Sequence, residues 1–238
     1  MEKCRIPEYT ARKQLLAKVK SGELIKLQNG FYLIIPPQYQ KLKRIPVSYF
    51  AQKYFEFLNT NYYLGLHSAA LLYGAGDQRY QVDYVVVSGR IPSCKIKAQN
   101  IRLNLLSSKN FPEYGILKKK SGVSYVNVSS PALTIADLIH YRQSLGGMSE
   151  IIETVVDLTN ELTVQDAENV FSKYPYTSVL QKAGYLLERF DARKEIIKVM
   201  YNCLKTRKHY PVLLESKRRE SAGSALNRWK VDQNTEID

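Results

Sequence analysis

Three neighbouring side chains near the start of the chain, Arg12, Lys13 and Gln14, have the chemistry that DNA recognition requires. Arginine can donate two hydrogen bonds to guanine, and glutamine can form a matching pair with adenine. Lysine mostly contacts phosphate, which adds affinity without reading sequence. Four more polar side chains follow and are candidates for contacts to the DNA backbone: Lys20, Lys26, Gln28 and Asn29. The group predicts a DNA-binding surface, with an ordinary solvated charged face as the alternative.

A second basic run near the other end of the chain is a candidate for further phosphate contacts, with a solvated loop as the alternative: Lys217, Arg218 and Arg219. The net charge of +13 is concentrated at the two ends of the chain. Residues 1–48 hold 10 basic and 3 acidic side chains, and residues 191–230 hold 11 and 4. This distribution favours a polyanionic partner such as nucleic acid.

Residue types that support catalysis are present, but their spacing matches no familiar catalytic pattern. A nuclease would need clustered carboxylates to hold Mg²⁺, and neither Asp83 nor Glu215 has an obvious acidic partner. The chain has no nucleophile elbow, Walker loop or dinucleotide fingerprint. We therefore expect a protein that is not an enzyme, with no catalytic residues, no metal site and no cofactor. A metal-dependent nuclease is the weakest alternative.

Two polar residues, Asp137 and His140, fall in one apolar helical segment. The spacing of Asp137 from Thr134 predicts a structural role, in which a short polar side chain ties the helix to a neighbouring loop. His140 fits the core or edge of a helix better than a metal site. A cluster of tyrosines either lines a groove or fills the core: Tyr62, Tyr63, Tyr73, Tyr80 and Tyr84.

The candidate DNA contacts must be positioned by a helix and a hairpin. Residues 8–20 have helical periodicity, with Thr10 as the expected cap and Ser21-Gly22 at the end. Asn29-Gly30 lies between two β-rich runs and predicts a hairpin. A basic helix followed directly by a hairpin is the second half of a winged helix, in which the helix enters the major groove.

An apolar stripe on the first helix needs a cover, because a recognition helix is normally packed against earlier helices. The stripe is formed by Leu15, Leu16 and Val19, and only seven residues precede Glu8. We therefore expect a reduced winged helix whose stripe packs against the aromatic-rich helix predicted at residues 47–58.

The remaining segments predict a mixture of helices and strands. Residues 82–87 form a continuous β-branched run, which is typical of a buried strand. Strands are also predicted at residues 94–106, 123–128, 210–214 and 229–231, and helices at 67–74, 130–142, 148–159, 163–173, 177–190 and 191–206. The predicted fold class is α+β. A reduced winged helix with a linker (residues 1–46) precedes a mixed α/β domain (residues 47–238) with a small sheet and several helices.

The overall composition is that of a folded globular protein. Hydrophobic residues make up 45% and charged residues 24%, which excludes a disordered chain. No apolar run approaches the roughly 18 residues of a membrane span, and the first residues lack the apolar core of a signal peptide. We expect a cytoplasmic protein without membrane contact.

Several segments resemble AbiEi-type antitoxins. Residues 22–32, GELIKLQNGFY, resemble the family's wing pattern Gly-x-Leu-x-x-Leu-x-x-Gly-x-Tyr. Residues 63–74, YLGLHSAALLYG, and residues 130–138, SPALTIADL, resemble two of its helix patterns. The terminal segments at residues 210–214 and 228–231 are similar to the family's closing strand and Trp segment. Each pattern is short, and their order and spacing together carry the resemblance.

The resemblance implies an antitoxin and transcriptional regulator in two parts. The winged helix would bind inverted repeats in the promoter of its own operon, and the C-terminal domain would counter a cognate nucleotidyltransferase-like toxin. Such pairs are type IV toxin–antitoxin systems that act in phage defence by abortive infection. The family's first helices are missing from this sequence, and Leu133 stands where the family often has a charged residue. A protein-interaction module that has lost DNA binding is the alternative.

Overall fold

The computed structural model of the chain describes residues 7–36, 45–76, 82–90, 95–98, 101–121, 124–215, 221–223 and 225–237. These ranges contain helices α1 (Glu8–Lys20), α2 (Ala51–Phe57), α3 (Leu66–Ala70), α4 (Pro131–Tyr141), α5 (Ser149–Thr159), α6 (Val164–Phe171), α7 (Thr177–Arg189) and α8 (Lys194–Lys205). Short 3₁₀ turns at Val47–Tyr49, Leu71–Tyr73 and Arg142–Leu145 adjoin α2, α3 and α4. Within the same ranges, every helix is too short or too polar to span a membrane.

The strands form a mixed six-stranded sheet and two small pairs. They are β1 (Leu24–Gln28), β2 (Phe31–Ile34), β3 (Tyr62–Leu64), β4 (Asp83–Ser88), β5 (Lys95–Ala98), β6 (Ile101–Ser108), β7 (Ile116–Ser121), β8 (Ser124–Ser129), β9 (Val212–Leu213) and β10 (Val231–Asp232). The order across the large sheet is β5-β6-β4-β3-β8-β7, with β4–β6 and β3–β8 parallel and the other neighbours antiparallel. The fold class is α+β, as predicted.

The central strands of the large sheet, β3 and β4, are buried on both faces. Val86 in β4 faces a core formed by the helices, whereas Val85 and Val87 face a second core. This explains the continuous β-branched run, since a strand covered on both sides has no position for a polar residue. The helical core is built around α4, which begins as predicted: the Ser130 hydroxyl accepts a hydrogen bond from the N–H of Leu133 at 3.3 Å.

The second core joins the hairpin to the sheet. Apolar residues of β1 and β2, including Ile25 and Leu33, pack in one cluster with α2 and the face of the sheet that carries Val85. The hairpin itself is confirmed, with Gly30 at φ 85° in the turn, where a residue without Cβ is favoured. The predicted linker lies largely in residues 37–44, outside the described residues, so the division into two domains near residue 46 stays a prediction.

Two expectations about α1 are wrong, although its bounds are as predicted. No side chain caps its first turn, because Pro7 rather than Thr10 precedes the helix. Its apolar stripe is not buried: Leu16 is 43% exposed, and Leu15 and Val19 are only half-buried. The main contact of α1 is with β1, not with α2, since Tyr54 and Phe55 of α2 are already buried in the second core.

The strand predictions also need correction. The run predicted at residues 94–106 is two antiparallel strands, β5 and β6, and the edge strand β7 was not predicted. The sequence of β7, ILKKKS, lacks apolar alternation because it lies at an edge of the sheet, where lysines prevent pairing with other chains.

The C-terminal segment completes the helical core. β10 pairs in parallel with β9, and the side chains of Trp229, Val231 and Ile237 are buried against the helices. Trp229 is fully buried beside Gly184 in the middle of α7. The helical half of the molecule is therefore closed by residues that come last in the sequence.

Candidate functional site

The predicted DNA-contacting residues of α1 point into solvent. Arg12, Lys13, Gln14 and Lys20 are all exposed, and no residue of α1 is buried. The helix ends at Lys20, the turn that follows contains Gly22 at φ 80°, and an ion pair of 3.3 Å between the Lys18 ammonium and the Glu23 carboxylate spans the junction with β1. A helix with a free outer face and a fixed connection to the hairpin suits contact with a duplex.

The predicted hairpin residues divide into exposed and half-buried groups. Asn29 is exposed at the turn, whereas Lys26 and Gln28 are half-buried in β1. The hydroxyl of Tyr54 donates a hydrogen bond to Oε1 of Gln28 at 3.2 Å, so this amide oxygen has a structural role, while its NH₂ group is the part suited to phosphate. The second candidate group, Lys217, Arg218 and Arg219, lies outside the described residues.

A cleft beside α4 is the second candidate site, and the sequence alone did not reveal it. Its volume is about 220 Å³, and its lining includes the buried carboxyl group of Asp137. The hydroxyl of Tyr63 on β3 donates a hydrogen bond to Asp137 at 2.7 Å, and the hydroxyl of Tyr174, between α6 and α7, donates another at 3.0 Å. Asp137 thus has the structural role predicted for it, since it ties α4 to β3 and to the loop before α7.

Burial governs the protonation of this network. Loss of hydration raises the pKa of Asp137 to about 7, and the hydrogen bonds from Tyr63 and Tyr174 only partly oppose this rise. Burial, and then the nearby Asp137, raise the pKa of both tyrosines well above the usual value, so both hydroxyls remain donors. Asp137 can therefore offer a carboxylate or a carboxylic acid near neutral pH.

Aromatic rings form the walls of the cleft. The rings of His140 and Tyr176 are stacked, with centroids 4.5 Å apart and planes 7° apart, and Tyr141 meets His140 edge-on at 4.5 Å. Burial, and then Arg142, lower the pKa of His140, so its imidazole is neutral at pH 7. Tyr114 and Tyr174 also line the cleft. We name this site, with Asp137 at its base, the aromatic cleft.

Most of the tyrosines noted in the sequence lie elsewhere. Of that group, Tyr63 lines the aromatic cleft, Tyr62 faces the core beneath the hairpin, and the hydroxyl of Tyr73 bonds to the carbonyl of Ser129 at 2.9 Å. Tyr80 lies outside the described residues. The sequence left open whether these tyrosines line a groove or fill the core, and the structure shows members of the group in both places.

A cationic cluster adjoins the His140–Tyr176 pair. A second cleft of about 410 Å³ shares these two residues and is also lined by Arg142 and Lys182. Arg142 forms an ion pair of 3.2 Å with Glu215, whose carboxylate also accepts a hydrogen bond from the N–H of Met148 at 2.6 Å. Burial, and then Arg142, lower the pKa of Lys182 to about 8, so it stays mostly protonated at pH 7.

The two carboxylates considered for a nuclease have different surroundings. Asp83 is buried in β4, whereas Glu215 follows β9 and is paired with Arg142. Within the part of the chain that the structure describes, no three His, Cys, Asp or Glu side chains are grouped so that they could hold a metal ion.

The solved structures that are similar to this one include the following two. One is the crystal structure of the RV2827C protein from Mycobacterium tuberculosis: 17% identity, 96% of this chain and 80% of that chain covered, TM-score 0.60. The other is the crystal structure of an antigenic nucleotidyltransferase-like protein from Paracoccidioides brasiliensis: 16% identity, 64% of this chain and 90% of that chain covered, TM-score 0.44. No curated protein matches the chain in sequence. The first similarity supports the α+β fold.

The family of the chain is established by its sequence from β3 to the end of α7. Residues 63–189 match the family described as the AbiEi antitoxin C-terminal domain. The match spans more than half of the chain and includes Asp137, the walls of the aromatic cleft and Lys182. The chain therefore belongs to the AbiEi antitoxin family.

Proposed function

We propose that this protein is the antitoxin of a type IV toxin–antitoxin system, which counters a nucleotidyltransferase-like toxin and represses its own promoter. The family match over residues 63–189 is the observation that supports the antitoxin role. The exposed cations of α1, together with the adjoining hairpin, support the role in promoter binding. We assign no catalytic step to this chain.

Co-expression tests the antitoxin role. Induction of the nucleotidyltransferase gene that neighbours this gene should arrest growth, and co-expression of the full chain should restore it. The full chain is needed because removal of the hairpin would expose the face of the sheet that packs against Ile25 and Leu33. Persistent arrest in cells that contain soluble full-length chain would contradict the proposal.

Loss of two cations from α1 tests promoter binding. The double variant Arg12→Ala/Lys13→Ala should bind promoter DNA at least tenfold more weakly in a gel shift, and its salt dependence should fall by about one unit per phosphate contact removed. The matched control is Lys118→Ala/Lys120→Ala, which removes two exposed charges from β7, at the opposite edge of the sheet from β5 and the hairpin. Equal affinity of both double variants and the unaltered protein would contradict this role.

The interaction module without DNA binding makes a different prediction in the same assay. If the unaltered chain fails to bind its promoter yet restores growth in the co-expression test, that alternative is correct. The two experiments therefore separate the two functions.

A further inference from the structure

We propose that the aromatic cleft and the adjoining cationic cluster together bind one purine nucleotide. The base would lie among the aromatic rings and the phosphate beside Lys182, in the two clefts that share the His140–Tyr176 pair. This inference rests on the geometry of the site and does not depend on the proposed antitoxin role.

The aromatic cleft has the size and lining that suit a planar base. Its volume of about 220 Å³ is below the roughly 300 Å³ at which pockets for drug-sized ligands begin. Tyr114, Tyr141 and the stacked pair of His140 and Tyr176 present aromatic faces and edges to it. Bases stack on such side chains wherever proteins bind unpaired nucleotides, and a purine has more surface to stack than a pyrimidine.

Asp137 supplies the polar contact that a base edge requires. Each of its oxygens accepts one tyrosine hydroxyl, and a carboxylate has about four acceptor positions, so acceptor capacity remains for N–H groups of a base. The two tyrosines hold the carboxyl in one orientation. An amino-bearing purine can donate to this group, whereas a purely apolar ligand would leave it unsatisfied.

The cationic cluster would bind the phosphate of the nucleotide. Among the described residues, Arg142 and Glu215 are the charged groups that act on Lys182, so two cationic side chains lie close together here. Both cations are at least nine-tenths buried, where a phosphate would be attracted more strongly than in open water.

A cationic ligand is the main alternative for a cleft of aromatic rings with an acid at its base. Three cations around the two clefts disfavour it: Lys109, Arg142 and Lys182. The positive charges that repel a cationic ligand attract a nucleotide, because a nucleotide combines an aromatic base with a negatively charged phosphate.

Calorimetric titration of the full chain with free nucleotides tests the proposal. AMP and GMP should bind with dissociation constants in the micromolar range, and UMP at least tenfold more weakly. Tyr176→Ala should weaken AMP binding at least tenfold, whereas Tyr176→Phe should preserve it. Tyr176 is 41% exposed, so folding should survive; Tyr125→Ala, at a 61% exposed tyrosine on β8, is the matched control.

A charge variant distinguishes the contribution of the phosphate to binding from that of the base. Lys182→Met keeps the length of the side chain but removes its charge, so AMP should bind at least fivefold more weakly while adenosine binding is unchanged. A short single-stranded RNA with a 3′-terminal adenosine distinguishes the sources of the ligand. Binding tighter than AMP identifies an RNA end, and equal binding identifies the free nucleotide. Absence of binding, equal binding of UMP, or indifference to both Tyr176→Ala and Lys182→Met would overturn the proposal.

Discussion

A Gly184→Ala variant should lose about 2 kcal/mol of folding stability, although the same change stabilises most helices by about 1 kcal/mol. Gly184 lies in the middle of α7, and an added Cβ would lie well inside van der Waals distance of the six-membered ring of Trp229. The ring has little room to move away, because Trp229 is fully buried and Tyr201 packs against it with ring centroids 5.5 Å apart. Overpacking of this kind costs about 1–3 kcal/mol or more and outweighs the gain in helix propensity.

Urea unfolding of a double-mutant cycle measures this effect. Trp229→Ala alone should cost about 3–5 kcal/mol, as expected for a large buried aromatic side chain. In the Trp229→Ala background, Gly184→Ala should be neutral or stabilising, since the clash is gone. If Gly184→Ala is as stable as the unaltered chain, the close packing of α7 against the C-terminal segment is wrong.

The stability difference between the unaltered protein and Asp137→Asn should depend strongly on pH. Burial raises the pKa of Asp137 from 3.8 to about 7, so the folded state retains a proton that the unfolded state releases. The resulting stabilisation is fully present below pH 3.8 and declines as pH rises towards 7, by about 1.4 kcal/mol per unit. Over this pH range the decline in folding stability totals about 4 kcal/mol. Asn at this position does not ionise, so the Asp137→Asn variant lacks this pH dependence.

The measurement must compare the two proteins at each pH because other groups titrate. Burial lowers the pKa of His67 from 6.5 to about 4, and its contribution to stability is present above pH 6.5 and lost as pH falls through 4. The pH dependence of stability caused by His67 is opposite in direction to that caused by Asp137. It cancels in the stability difference between the two proteins, because both contain His67. We expect Asp137→Asn to be the less stable protein at pH 4, and the deficit to shrink steadily towards pH 8. A constant deficit would show that Asp137 is ionised throughout, and Asp191→Asn controls for loss of an exposed charge.

Local patterns in the sequence were enough to predict the parts of the fold with local causes. Asn29-Gly30 set the hairpin, Ser130-Pro131 set the start of α4, and the β-branched run of β4 indicated a strand covered on both faces. Each of these depends on residues within a few positions of one another. The burial of α1 was not predictable in this way, because it depends on which elements already occupy the second core.

The aromatic cleft could not be predicted because its residues come from distant parts of the chain. Tyr63 is 74 residues from Asp137, and Tyr174 is 37 residues from it on the other side. The polar Asp137 within an apolar helix was the one feature that marked the position, and it indicated a structural tie without identifying the partners. The contact of Gly184 with Trp229 could not be predicted either, because a glycine in a helix does not indicate which residue packs against it.

The position of Trp229 and Ile237 after the helices in the chain has a consequence for how this protein folds during synthesis. The helices α4 to α8 emerge from the ribosome before the side chains that close their core, so the nascent chain exposes an apolar groove until Trp229 and Ile237 have emerged as well. Such a chain is a natural client for chaperones.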